Sequence, residues 1–248
     1  MSFPMYDLPQ LRDANEALLA AFKALLLEED VDAQSIPITQ ICGYPLQTVY
    51  RGQFTLLGIP CYGVPGCDGP VHRSFIVVSS ASTATRVEDL HGRNFAVNSM
   101  DSNTGTNLPR HFFAPFAHGK RFFSRIIVTG SHRASMNAVV SGQADAAAID
   151  CVTFGLHAEY EPSAVDGLRV LAQTSASPSI PFVTSHKTPG EAVGVLRRAL
   201  RKFSTRADFA PLRHALQIER IAPPAEADYD VLLEYRAQAA ALGYPHLA

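Results

Sequence analysis

Between residues 94 and 174 the sequence switches repeatedly between an extended and a helical pattern, and this alternation restricts the possible folds most. The β-type runs NFAVN, RIIVTG, ADAAAID and LRVLAQT are separated by the helical stretches NLPRHFFAPF, HRASMNAVVSG and CVTFGLHAEY. Strands that alternate with helices of this length call for a parallel sheet covered by helices.

Upstream, residues 11 to 27 place Leu11, Leu18, Phe22, Leu25 and Leu26 on one helical face. The short β-type runs PITQIC, FTLLGIPCY and SFIVVSS follow, broken by the Gly/Pro-rich GVPGCDGP. SSASTAT, residues 79 to 85, reads as a linker, and SASPSIPFVTS as a second extended connector. Three helical patterns then run over 190–203, 207–217 and 228–241 without any further strand. Helices alone do not build another α/β domain, so they are expected to pack back on the first unit. The reading is an α/β protein of two lobes: residues 1–80 with 184–248, and an inserted lobe of residues 81–183. A ligand would belong in the cleft between them.

A chain of 248 residues with 47% hydrophobic and 18% charged residues has the composition of a soluble globular protein. Its net charge of -2, with basic residues scattered, argues against nucleic acid or an anionic membrane surface. The densest basic stretch, LRRALRKF, interleaves Arg197, Arg198, Arg201 and Lys202 with apolar residues at helical spacing and reads as a solvated helix face. Direct membrane insertion is not expected, because no apolar run approaches the roughly 20 residues that span a bilayer. The first residues, MSFPMYDLPQ, lack the basic and apolar regions of an export signal, which leaves a cytoplasmic address open beside a processed, exported one. The 4 cysteines are too sparse for a disulfide scaffold. Cys61, Cys67 and His72 lack the paired short spacings of a structural zinc site, so no metal is expected.

The polar run NSMDSNTGTN sits between a strand and a helix. A helix N-terminus offers unpaired backbone N–H groups and partial positive charge, so Ser102, Asn103, Thr104 and Gly105 suit an anion cradle. A simple N-cap accounts for the same residues equally well. VTGSHRAS repeats the arrangement at the next strand end, where His132 is a candidate donor to an anion or a capping residue. Asp150 ends a third strand and is either a ligand acceptor or the cap of the following helix. Cys151 opens that helix, where a thiolate would be favoured, so Cys151, His132 and Asp150 also permit nucleophilic catalysis. No hydrolase elbow, phosphate loop or dinucleotide fingerprint is present, and no cofactor is implied. In the first unit Tyr6, Tyr44 and Tyr62 lie near strand ends and suit the wall of a ligand site as well as the core. Arg73 is a further candidate, or a strand-edge surface residue.

The segments DLHGRNFAVNSMDSNTGTN and GSHRASMNAVVSGQADAAAID, in this order, resemble the PhnD-like family of phosphate/phosphonate ABC-transporter substrate-binding proteins. A weaker likeness extends through MYDLP, CGYPL, PGCDGP and PFVTS over nearly the whole chain. The resemblance implies a type II periplasmic-binding-protein fold, two α/β lobes joined by two extended crossings, with hinges at 79–85 and 179–185. It implies a non-enzymatic protein that closes on a small anionic ligand and hands it to an ABC permease outside the cytoplasm. Ser102, Asn103, Thr104 and Gly105 match the family's Ser-Thr-Ser-Gly loop, with an amide in place of the middle hydroxyl. Gly130, Ser131, His132 and Ala134 match its Gly-Ser-His-x-Ala segment, which implies that His132 reaches the anion. Tyr44 sits where the family's first lobe brings a strand-end loop to the cleft, and Asp150 matches the end of the VDAAAID-like strand seen in relatives. The alternatives are an enzyme on the same fold that uses Cys151, His132 or Asp150, and a ligand-sensing protein.

Overall fold

The computed structural model describes residues 4–29 and 38–248. Its elements, in chain order, are α1 (Arg12–Leu27), β1 (Thr39–Gln40), α2 (Gly43–Gln47), β2 (Phe54–Tyr62), β3 (Val71–His72), β4 (Ser74–Ser79) and β5 (Asn94–Val97). They continue with α3 (Leu108–Ala117), β6 (Arg125–Val128), α4 (His132–Val140), β7 (Ala146–Asp150), α5 (Cys151–Tyr160), β8 (Leu168–Gln173) and β9 (Ser177–Pro178). The last are β10 (Phe182–Ser185), α6 (Gly190–Thr205), α7 (Ala210–Ala215), β11 (Ile218–Ala222) and α8 (Val231–Ala241). Pro37, first in the expected strand PITQIC, lies outside the described residues.

Two compact units result, and each is built from several pieces of chain. The first comprises Met1–Gly63, Cys67–Val71 and Pro178–Asp228; the second comprises Val64–Gly66, His72–Ser177 and Tyr229–Ala248. β3 and β9, at two of the passages between them, pair as a separate ribbon.

The first unit carries a sheet of order β1-β10-β2-β11, with every neighbour antiparallel. The buried stripe of α1 brings Phe22 within 5.8 Å of Phe182 on β10 and 5.4 Å of Phe203 on α6, ring centre to ring centre. The basic face of α6 is exposed and ion-paired: Arg198 and Lys202 each reach Glu29 at 2.8 Å.

The second unit carries a five-stranded sheet of order β6-β5-β7-β4-β8. β5 runs parallel to β6 and β7, whereas β4 is antiparallel to both β7 and β8. Residues Phe95, Phe113, Phe122 and Phe123 form its aromatic core, and Phe95 stacks on Phe123 at 4.3 Å. Ala239, Tyr244 and Leu247, from α8 and the residues after it, close the same core.

The unit limits differ from the expected 80/81 and 183/184. β4 was expected in the first lobe; it sits between β7 and β8 because Ser74–Val78 pair with Ala146–Asp150. SSASTAT is a tight surface turn after β4, fastened by the Thr85 N–H to Asp89 Oδ2 at 2.8 Å. The connector SASPSIPFVTS contains β10, a strand inside the first sheet. The helical pattern over 207–217 hid β11, which starts at Ile218. α8, expected on the first unit, covers the second because Ala239 fits its aromatic core.

Candidate functional site

β5 ends at Val97 and the chain turns through Ser102 into α3. Ser102 is extended (φ -67°, ψ 140°) and its Oγ accepts the Gly105 N–H at 2.9 Å, an N-cap in geometry. Residues Asn103–Asn107 form a wide π turn before α3 begins. Such turns widen the backbone spiral and recur at functional sites. The Asn107 N–H reaches back to the Ser102 carbonyl at 3.0 Å. Gly105 leaves room for a neighbouring amide: a Cβ on it would stand 1.8 Å from Asn98 Oδ1, so any side chain there must displace Asn98.

Every polar side chain of the turn is buried, and each is held by a neighbour in the second unit. Asn103 Nδ2 donates to Ser177 Oγ at 2.9 Å. Thr104 Oγ1 lies 3.2 Å from His132 Nε2, and the Ser74 hydroxyl donates to the Thr104 carbonyl at 2.6 Å. The other ring nitrogen of His132, Nδ1, lies 3.2 Å from the Ala148 carbonyl. Ser131 caps α4 through the Ala134 N–H at 3.0 Å. The two strand-end motifs of the sequence, SNTG and GSHRA, thus meet through Thr104 and His132. Burial lowers the proton affinity of His132; Asp150 and the Ala148 carbonyl oppose this, and the net shift is downward.

Asp150 serves two partners. Its Oδ1 accepts the Thr153 N–H at 2.9 Å and caps α5, while Oδ2 lies 3.1 Å from Nδ1 of His72. Burial disfavours both charges, yet their mutual attraction prevails: His72 is shifted upward and Asp150 downward. The geometry thus favours the charged form of each group, and His72 Nε2 is buried without a hydrogen-bond partner.

Cys151 is fully buried, and its Sγ accepts the Arg73 N–H at 3.4 Å. Its Cβ packs so closely on Gly66 that a side chain there would meet it at 2.8 Å. A sealed thiol facing the backbone is not placed as a nucleophile. Arg73 turns its guanidinium to the Gly66 carbonyl at 3.3 Å. Tyr6, Tyr44 and Tyr62 all fall in the first unit. Tyr6 and Tyr62 meet edge to face at 5.3 Å in its core, whereas Tyr44 is half-buried on the short α2. Among the described residues no group of three or more His, Cys, Asp or Glu side chains is placed to hold a metal ion.

Sequence reasoning missed the residues that brace the turn: Ser74, Asn98, Ser177 and, as the partner of Asp150, His72. Ser74 and Ser177 carry no local signal, because their roles arise from sheet pairing and from a contact 74 residues away in the chain.

In fold, the chain resembles solved binding proteins throughout. A binding-protein component of an ABC phosphonate transporter from Pseudomonas aeruginosa (PA3383) aligns with a TM-score of 0.75 at 18% identity, over 97% of this chain and 84% of that one. PhnD1 from Prochlorococcus marinus, in complex with methylphosphonate, aligns with a TM-score of 0.70 at 15% identity, over 92% and 94%. XAC2383 from Xanthomonas citri, bound to ATP, aligns with a TM-score of 0.65 at 14% identity, over 94% and 93%. The fold is the two-lobe type II periplasmic-binding-protein fold. In sequence, no curated protein matches. Residues 62–229, more than half of the chain, match the family model for the periplasmic substrate-binding protein of phosphonate ABC transporters, and the chain belongs to that family.

Proposed function

We propose that this protein captures a small phosphonate- or phosphate-like anion at the turn Ser102–Gly105 and delivers it to an ABC permease in the periplasm. The observation that carries the reading is the joining of SNTG to His132 through Thr104, which sets backbone N–H groups, two hydroxyls and an amide at one helix start. The family consists of substrate-binding transport proteins rather than enzymes, and the burial of Cys151 agrees with that role. Among the described residues no helix is long and apolar enough to cross a membrane.

On this reading Arg73, His132 and Asp150 join the turn as ligand candidates of the second unit, and Tyr6, Tyr44 and Tyr62 are the candidates of the first. Titration calorimetry with methylphosphonate, phosphate, methanesulfonate and acetate tests the reading. Saturable binding that weakens at least about tenfold in Ser102→Ala supports it, a loss on the scale of one charge-assisted hydrogen bond. Absence of binding to all four anions would sink it.

A further inference from the structure

A buried guanidinium sets the direction of the hydrogen bonds behind the turn Asn103–Asn107. Arg110, in the first turn of α3, is 6% exposed and donates to Oδ1 of Asn107, since a guanidinium has no acceptor. The other branch of the Asn107 amide is therefore Nδ2. Its two hydrogens meet Oδ1 of Asn103 and the carbonyl of Leu232, each at 3.2 Å. The Leu232 carbonyl only accepts, so it fixes the same orientation independently. Asn103 must then turn Nδ2 to Ser177 Oγ, 2.9 Å away.

Ser177 Oγ is the acceptor in this last contact, so its own proton points elsewhere. Among the described residues no acceptor takes that proton, and Ser177 is 1% exposed. The neighbouring hydroxyls differ: Ser74 gives its proton to the Thr104 carbonyl at 2.6 Å, and Thr106 gives its own to that of Ser99 at 2.7 Å. Ser177 instead repeats the state of Ser102, whose Oγ accepts the Gly105 N–H at 2.9 Å. The backbone beside it is pinned, since the Tyr235 hydroxyl on α8 donates to the Ala176 carbonyl at 2.8 Å. A buried donor held in place is costly until an acceptor meets it.

Resting on the anion site proposed above, we infer that Ser177 is a further ligand-binding residue, its hydroxyl proton directed to an acceptor oxygen of the ligand by the series Arg110–Asn107–Asn103. Arg110 and Asn107 are positioning residues and touch no ligand themselves. The donors of the site thus include one from β9, 74 residues along the chain from Asn103.

Titration calorimetry with methylphosphonate on the full chain tests this. Ser177→Ala is expected to weaken binding at least about tenfold, the scale of one hydrogen bond to a charged group, and Ser177→Thr to keep most of the affinity. Asn107→Asp still accepts from Arg110 but has no hydrogen for Asn103. The Asn103 amide then turns over and presents Oδ1 to Ser177, whose proton is consumed there. Asn107→Asp is therefore expected to weaken binding like Ser177→Ala, and the double variant to bind no worse than either alone, a non-additivity that mere loss of structure does not produce. Unchanged affinity in Ser177→Ala would overturn the inference while leaving anion binding intact. Equal losses in Ser177→Ala and Ser177→Thr proteins that melt normally, or additive losses in the Asn107 and Ser177 cycle, would do the same. If Asn107→Asp does not fold, the two Ser177 variants decide alone. Failure of the unaltered protein to bind any of the four anions would overturn the proposed function and the inference with it.

Discussion

Asp150 Oδ2 lies 3.1 Å from His72 Nδ1, and both side chains are sealed from solvent, at 2% and 1% exposure. A buried ion pair adds little net stability, but removing one partner leaves the other charge stranded. Asp150→Asn keeps a competent cap for α5 and deletes only the charge. It is expected to cost about 3–5 kcal/mol, the usual penalty for breaking such a pair. Urea denaturation measures it; a loss below about 1 kcal/mol, the scale of a surface pair, would mean that the pair is not ionised.

Two buried histidines should tilt the stability profile in opposite directions. His72 is shifted above its ordinary 6.5, so its contribution is complete below that value and is lost as pH rises through the folded one. His132 is shifted below 6.5, so the unfolded chain takes up its proton first and stability drops as pH falls from 6.5 toward the folded value. Thermal melts of His72→Gln should therefore lose pH dependence on the alkaline side, and those of His132→Gln between 6.5 and the acid limb. Asp150, shifted downward, adds stability that disappears only at still lower pH.

Gly105→Ala should disrupt the turn, because the new Cβ falls on Asn98 Oδ1. The expected result is a lower melting temperature and loss of anion binding. Asn98→Ala removes the obstructing atom, so the double variant should recover much of the loss, and a double-mutant cycle should show strong coupling. Additive effects would place the strain elsewhere.

Phe113→Ala opens the aromatic cluster at a residue with no solvent exposure, in contact with Phe95, Phe122 and Phe123. The expected destabilisation is about 3–5 kcal/mol with no change in ligand preference. Denaturant midpoints together with calorimetry separate the two readouts.

Cys151 should resist thiol reagents in the native protein and react on unfolding, because its sulfur is buried. Mass spectrometry after brief alkylation checks this. Cys151→Ser is expected to retain anion binding; loss of binding in a folded variant would return the thiol to the site.

The elements that sequence reasoning located best are those whose signal is local. The run FTLLGIPCY is β2 to the residue, and CVTFGLHAEY is α5 to the residue. The pairing of SNTG with GSHRA was legible because both motifs follow strands of one sheet, and that sheet brings Thr104 to His132. What stayed hidden depended on partners far along the chain. SFIVVSS has the same appearance in either unit, and only its register with Ala146–Asp150 assigns it. α8 shows an apolar pattern that any core would accept. His72 stood out as a possible metal ligand, whereas its partner is a carboxylate 78 residues later, beyond any local spacing rule.

The dependence of the second unit on α8 bears on the order in which the protein matures. Ala239, Tyr244 and Leu247 belong to the same core as Phe95 and Phe113, and the Phe122 and Phe123 N–H groups both bond to the carbonyl of Ala248, at 2.8 and 3.0 Å. A nascent chain that has reached Ser177 holds all five strands of that sheet but lacks the side chains that cover its aromatic cluster. Stretches of this kind are sticky while they wait. The second unit's core is therefore complete only once α8 and the residues after it are in place, and a gene fragment for residues 72–177 should yield an aggregating product.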